Sequence, residues 1–133
     1  MYDCKEDLSF SYPCSNEAIK SGKIPIKIGK VNGDFKYSWF GEKASFINFP
    51  EEVIGNFELI GAKKITNLKG CPKKVGGDFI VSCCDVTSLE GCPEEVQGDF
   101  GISSNDNLIN LKGAPKLIHG DVNCSYCANL TSV

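Results

Sequence analysis

GCPKKVGGDF, residues 70–79, returns twenty-one residues later as GCPEEVQGDF, residues 91–100, with seven of ten letters unchanged. Self-similarity at so short an interval is the mark of a repeat architecture. Aligning the chain on the Gly-Asp-Phe core gives five copies, whose glycines are Gly33, Gly55, Gly77, Gly98 and Gly120 at spacings of 22, 22, 21 and 22 residues. Other columns fall into line at the same period. Phe35, Phe57, Phe79, Phe100 and Val122 form one apolar column, and Tyr37, Leu59, Val81, Ile102 and Cys124 form a second two residues on. An i, i+2 apolar pattern is a short strand with one buried face.

Further columns complete the unit: Val31, Val53, Val75, Val96 and Ile118; Phe46, Leu68, Leu89, Leu111 and Val133; and, more loosely, Ile65, Val86, Leu108 and Leu130, with Lys43 breaking the last in the first copy. Pro50, Pro72, Pro93 and Pro115 close each turn and argue against helix there. No unit of 21 or 22 residues hides its own apolar face, so stacked units must turn each column into a continuous ladder. The expected fold is a β-rich repeat solenoid of five parallel rungs over residues 31–133, its strands in one sheet, with residues 1–30 as a short N-terminal cap. Ser15-Asn16-Glu17 before Ala18 is a helix-start signal and Gly22 a stop.

At 133 residues, with 41% hydrophobic residues, 23% charged and a net charge of -3, the chain is one domain and is not basic enough to suggest nucleic-acid binding. No run approaches the roughly 18 apolar residues of a membrane span, and MYDCKEDLSFSYPCSNE lacks the basic and apolar regions of a signal peptide. The expected location is the cytoplasm, where eight cysteines remain thiols.

The repeat resembles leucine-rich repeats, and more closely a short variant reading L-x-G-x-P-x-x-V-x-G-x-F associated with bacterial and phage proteins. Leu68 to Phe79, Leu89 to Phe100 and Leu111 to Val122 match it, and Phe46 to Phe57 matches more loosely. Asn105 stands where that repeat has its inner asparagine, Cys84 and Cys127 replace it in their copies, and Ala62 departs from the pattern. The resemblance implies a curved sheet used for protein contacts, in the host cytoplasm if the chain is phage-encoded.

Catalytic signals are sparse. His119 is the single histidine, and no G-x-S-x-G, H-E-x-x-H, G-x-x-x-x-G-K or G-x-G-x-x-G element occurs. Cys83-Cys84 and Cys124-x-x-Cys127 look like zinc half-sites, but they lie two rungs apart, about 9.6 Å at the rung spacing of a parallel sheet. Zinc-bound sulfurs lie within roughly 4 Å of one another, so no metal and no cofactor is expected. Cys71 and Cys92 share a small inward column with Phe49 and Ala114; Cys4 and Cys14 are unconstrained by the repeat.

Two features remain as candidate surfaces. Asp34, Asn56, Asp78, Asp99 and Asp121 form a column before the strand, either turn chemistry or an acidic recognition stripe. Outward strand positions carry Lys36, Glu58, Ile80, Gly101 and Asn123, then Ser38, Ile60, Ser82, Ser103 and Ser125, then Trp39, Gly61, Cys83, Ser104 and Tyr126. Among these, Trp39, Glu58, Ile60, Ile80, Ser82, Ser103 and Tyr126 are the expected binding surface, bulky side chains among small polar ones. The pairs Glu51-Glu52, Lys73-Lys74, Glu94-Glu95 and Lys116-Leu117 alternate in sign, an arrangement that brings opposite charges together down the stack and penalises a one-rung slip.

The expected function is a non-enzymatic protein-binding module of a phage or bacterium that blocks a host defence or regulatory protein. The alternatives are a metal or small-ligand sensor or carrier, or a fragment of a structural virion repeat protein. The partner is another protein, with no nucleic acid or membrane, and a weak two-fold homodimer is expected through the C-terminal rung.

Overall fold

The computed structural model describes residues 2–11, 27–38, 48–62 and 65–130. Twelve short strands occur among them: β1 Tyr2–Cys4, β2 Leu8–Ser11, β3 Ile28–Val31, β4 Phe35–Ser38, β5 Glu52–Val53, β6 Phe57–Ile60, β7 Lys74–Val75, β8 Phe79–Ser82, β9 Glu95–Val96, β10 Phe100–Gly101, β11 Leu117–Ile118 and β12 Val122–Asn123. They build a parallel β-solenoid with no helix among the described residues.

The strands fall into two six-stranded sheets, ordered β1-β3-β5-β7-β9-β11 and β2-β4-β6-β8-β10-β12. A single sheet is thus corrected to two. The Val31, Val53, Val75, Val96 and Ile118 column sits on the first of these, on strands mostly two residues long. Two residues are too few to show the alternation by which a strand is recognised in sequence.

Register follows the columns: Phe35 pairs with Phe57, Phe57 with Phe79, Phe79 with Phe100, and Phe100 with Val122. Identical residues stack because identical units superpose. The rings of Phe57, Phe79 and Phe100 lie almost parallel, with centroids 5.0 and 5.8 Å apart, and Phe49 meets Phe35 and Tyr37 edge-on at 5.1 and 4.9 Å. Together with Val53, Val75, Val96, Leu59, Val81, Leu68 and Leu89 they make one core, nearly all of it closed to solvent.

Three residues turn the chain from one sheet into the other, for example Gln97-Gly98-Asp99 between β9 and β10. Here the reason for Gly-Asp becomes physical. The Gly98 N–H donates to the Gly77 carbonyl at 2.9 Å, and the Asp99 N–H donates to Asp78 Oδ1 at 2.8 Å. A β-carbon on Gly98 would overlap the Asp78 carboxylate oxygen and stand 2.8 Å from the Gly77 carbonyl carbon. The glycine is therefore required by close approach of backbone to backbone.

The N-terminal segment shields the first repeat by extending both sheets. Cys4 registers with Val31 and Leu8 with Phe35, and Asp7 Oδ1 accepts the Asp34 N–H at 2.8 Å as its counterparts do further along. This coil is obscure in the sequence because Asp7 precedes Asp34 by 27 residues and Glu6 replaces the corner glycine. The helix expected from Ser15 to Gly22 lies outside the described residues, as do Cys14, Lys43, Phe46 and Val133.

Asn105, fully buried, donates through Nδ2 to the carbonyls of Ile102, Val81 and Ser103 at 2.7, 3.0 and 3.2 Å. In neighbouring copies the Cys84 thiol donates to the Ser82 carbonyl at 3.2 Å and the Cys127 thiol to that of Ile102 at 3.1 Å. One donor in this position satisfies interior carbonyls, and either residue supplies it. Asn105→Ala is expected to cost about 2–3 kcal/mol by orphaning buried acceptors. Asn105→Cys, which keeps a donor and removes the unpartnered Oδ1, is expected to cost under about 1.5 kcal/mol; urea melts of both variants check the order.

Candidate functional site

The outer face of β4, β6, β8, β10 and β12 carries the side chains that the strand pleat turns away from the core. Glu58, Ile60, Ile80, Ser82 and Ser103 are all half-buried there. Glu58 faces Lys36 across the sheet at 3.9 Å, and the Ser82 and Ser103 hydroxyls lie 3.5 Å apart. Gly101 leaves room over which Ile80 folds, its Cδ1 lying 2.9 Å from where a β-carbon would stand. Trp39 lies outside the described residues.

At the end of these strands the backbone turns left-handed, with Gly61 at φ 72°, Cys83 at 57°, Ser104 at 59° and Tyr126 at 59°. Only the first copy among these uses glycine. An L-residue in this conformation costs roughly 1–2 kcal/mol, yet Cys83 and Tyr126 are held there with their side chains in solvent, Tyr126 with 83% of its surface exposed.

The acidic column has a structural role. Oδ1 of Asp34, Asn56, Asp78 and Asp99 each accepts, at 2.8 Å, the backbone N–H of the column residue one rung on: Asn56, Asp78, Asp99 and Asp121. These hydrogen bonds offset the repulsion between stacked carboxylates, and asparagine serves as well as aspartate because only one oxygen is used. Asp121 alone of the column has no rung beyond it among the described residues.

The alternating charges do not close into pairs down the stack. Glu52 and Lys74 share a register position, but among the described residues the ion pairs within 4 Å are Lys27–Glu51, Lys36–Glu58, Lys69–Glu90 and His119–Glu95. Lys73 and Lys74 instead border a groove of about 920 Å³ on the outer face of the two-residue strands, where Glu52, Glu94 and Glu95 intersperse carboxylates with the two ammonium groups around Ile54 and Gly76. The sequence reading missed this groove. Its signal was Gly76, the one glycine in the column of Asn32, Ile54, Gln97 and His119.

His119 is a surface residue, its Nε2 2.8 Å from Glu95 Oε2. Among the described residues no cluster of three His, Cys, Asp or Glu side chains is placed to hold a metal ion. Cys4 is buried and its thiol donates to the Glu6 carbonyl at 3.1 Å.

Burial pushes the Cys71 thiol well above its ordinary value of 9.0, with the nearby Cys92 and Cys84 adding to the effect, and burial alone pushes Cys92 up to about 12. A folded-state pKa raised in this way means that the native protein holds its protons more tightly than the unfolded chain. That stability is complete below about pH 9 and is lost as the pH climbs toward 12. Melting temperature is therefore expected to fall across this alkaline window, and Cys71→Ala with Cys92→Ala to flatten the decline. Thiol titration of native protein is expected to modify the exposed Cys83 first and Cys71 only on unfolding.

Comparison with protein families, curated proteins and solved structures finds no match to the chain.

Proposed function

We propose that the protein is a non-enzymatic binding module that engages another protein through the outer face of β4, β6, β8, β10 and β12. The observation that carries this reading is the left-handed row ending in Tyr126. Three side chains are displayed there at a conformational cost that glycine would avoid, and strain of this kind concentrates where side chains are needed for contact. Beside the row, Ile60 and Ile80 offer half-exposed apolar surface between Glu58 and the paired serines, the composition of an interface centre. Asn105, Cys84 and Cys127 hydrogen-bonded within the core support the finer reading, a five-rung short leucine-rich-repeat-like solenoid of bacterial or phage type. A cytoplasmic partner such as a host defence or regulatory protein fits that type.

The test is affinity capture from bacterial lysate with the parent chain, Tyr126→Gly and Ile80→Ser, followed by mass spectrometry and binding measurements on the captured protein. Tyr126→Gly is expected to keep or raise stability while weakening binding by about tenfold or more, the usual loss of an aromatic anchor. Undiminished binding by both variants would remove the face from consideration.

A further inference from the structure

We propose that Asn32 is a site of spontaneous covalent modification, at which ring closure onto the Gly33 backbone nitrogen expels the side-chain amide and the isoaspartate that follows releases the N-terminal coil, Tyr2–Ser11, from the first repeat. The site is distinct from the strand face assigned above and does not depend on it.

Two independent observations meet at this corner. Asn32-Gly33 is the one Asn-Gly pair in the chain, and a glycine nitrogen, with no β-carbon beside it, is the least hindered of backbone nucleophiles. Gly33 is also the one corner glycine whose N–H is free. Gly55, Gly77, Gly98 and Gly120 each donate to the carbonyl of the corner glycine before them at 2.9 Å, whereas the Gly33 N–H has no acceptor among the described residues. The carbonyl in the matching place belongs to Glu6, and it accepts the Cys4 thiol at 3.1 Å instead. At the other corners the nitrogen must leave a hydrogen bond before it can attack; here there is none to break. Asn32 is exposed, so water reaches its amide, and Nδ2 makes only a long contact of 3.4 Å to the Cys4 carbonyl.

The chemistry needs water and no other reactant. Solvent base takes the Gly33 proton, the nitrogen attacks Asn32 Cγ, and the Cγ–Nδ2 bond breaks as ammonia leaves with a proton from water. The product is a cyclic imide in which the Gly33 nitrogen is bonded to both carbonyl carbons of Asn32. Water then adds to one of them. Cleavage at Cγ restores the ordinary main chain with an aspartate side chain, and cleavage at the main-chain carbonyl gives isoaspartate, whose main chain runs through Cγ.

The corner's hydrogen bonds say what isoaspartate does. The Asn32 N–H donates to the Cys4 carbonyl at 2.9 Å, and the Asp34 N–H donates to Asp7 Oδ1 at 2.8 Å, one on each side of the altered linkage. Isoaspartate inserts a methylene into the main chain between these two anchors, so they no longer hold together. Val31 and Phe35, both closed to solvent, stand in register with Cys4 and Leu8 of the coil and lose that cover. Ageing thereby opens the stack at its N-terminal end and leaves the hydrogen-bonded corners beyond it closed.

The test is incubation of the purified chain at neutral pH and body temperature, with mass spectrometry of the tryptic peptide from Val31 to Lys36 and an isoaspartate-specific methyltransferase as the second readout. Conversion at Asn32 is expected while Asn56, Asn67, Asn105 and Asn110 stay amides, and Asn32→Gln is expected to abolish it. Gln97→Asn places an Asn-Gly pair, equally exposed, at a corner whose Gly98 N–H is bonded to Gly77 at 2.9 Å. Conversion there is expected to run about tenfold slower than at Asn32 in the same molecule, a barrier difference of about 1.4 kcal/mol. In the aged, isoaspartate-bearing fraction, hydrogen exchange is expected to show lost protection at Tyr2–Ser11 and none lost at β8 to β10. Freshly purified Asn32→Asp, which gains the charge without lengthening the main chain, should keep the coil protected. An Asn32 that stays an amide, equal rates at the two positions, or an aged fraction with Tyr2–Ser11 still protected overturns the proposal. Loss of protection in Asn32→Asp as large as in the aged fraction equally overturns it, by giving the release to charge.

Discussion

Phe79→Ala is expected to destabilise the protein by about 3–5 kcal/mol, the range for removing a fully enclosed aromatic ring. For a chain of this length that corresponds to a fall in melting temperature of roughly 10–20 °C. The reason is position as much as size. Phe79 is 0% exposed and stands between Phe57 and Phe100, stacked on both. In a solenoid each unit contacts chiefly its neighbours, so a hole at a central rung weakens two interfaces at once, and the flanking strands cannot close over it without losing their own hydrogen bonds. Phe79→Leu, which refills most of the volume, should recover more than half of the loss. Thermal melts of the two variants decide the matter, and an alanine variant that melted like the parent would show that the ring does not sit in the stack.

Gly98→Ala is expected to cost about 2–4 kcal/mol, an overpacking penalty plus the loss of a corner hydrogen bond. One methyl group here must displace either the Asp78 carboxylate, which breaks its bond to the Asp99 N–H, or the Gly77 backbone, which opens the stack. Gly101→Ala is the matched control, since its β-carbon meets only the Cδ1 end of Ile80, a flexible side chain that can move aside. It should cost under about 1 kcal/mol. Replacing Asp78 by glycine in the Gly98→Ala background should return part of the loss, because the carboxylate obstacle is gone while the carbonyl obstacle stays. Denaturant melts of the four proteins test this, and a Gly98→Ala protein as stable as the parent would show that the corner has slack.

How much of the candidate surface was readable before the structure follows from the same geometry. The alternation Phe57-Glu58-Leu59-Ile60 gave both the buried and the outward positions, because a strand has only two faces and the apolar column fixes which one is inside. The left-handed backbone at Cys83, Ser104 and Tyr126 was not readable: only Gly61 in that column announces it, and the other three residues carry no conformational signature. The charge alternation of Glu52, Lys74 and Glu95 was readable as a pattern but misread as contact, since sharing a register position does not bring long side chains to within 4 Å.

The sequence by itself determined the period, the parallel register and most of the core, because near-identical units can bury their apolar columns only by superposing. Phe57, Phe79 and Phe100 could stack in no other order. The tertiary structure decided what depends on atoms brought together from different units. It placed the valine column on a second sheet, added Tyr2–Ser11 to the stack across an irregular spacing, and turned Asp34, Asp78 and Asp99 from a charged stripe into acceptors for the next rung's backbone. It also showed that the corner glycine answers to a carboxylate some twenty residues earlier. A one-dimensional pattern records that a residue recurs; the hydrogen-bond partner and the steric obstacle that make it recur lie one rung away, where only the folded chain brings them into contact.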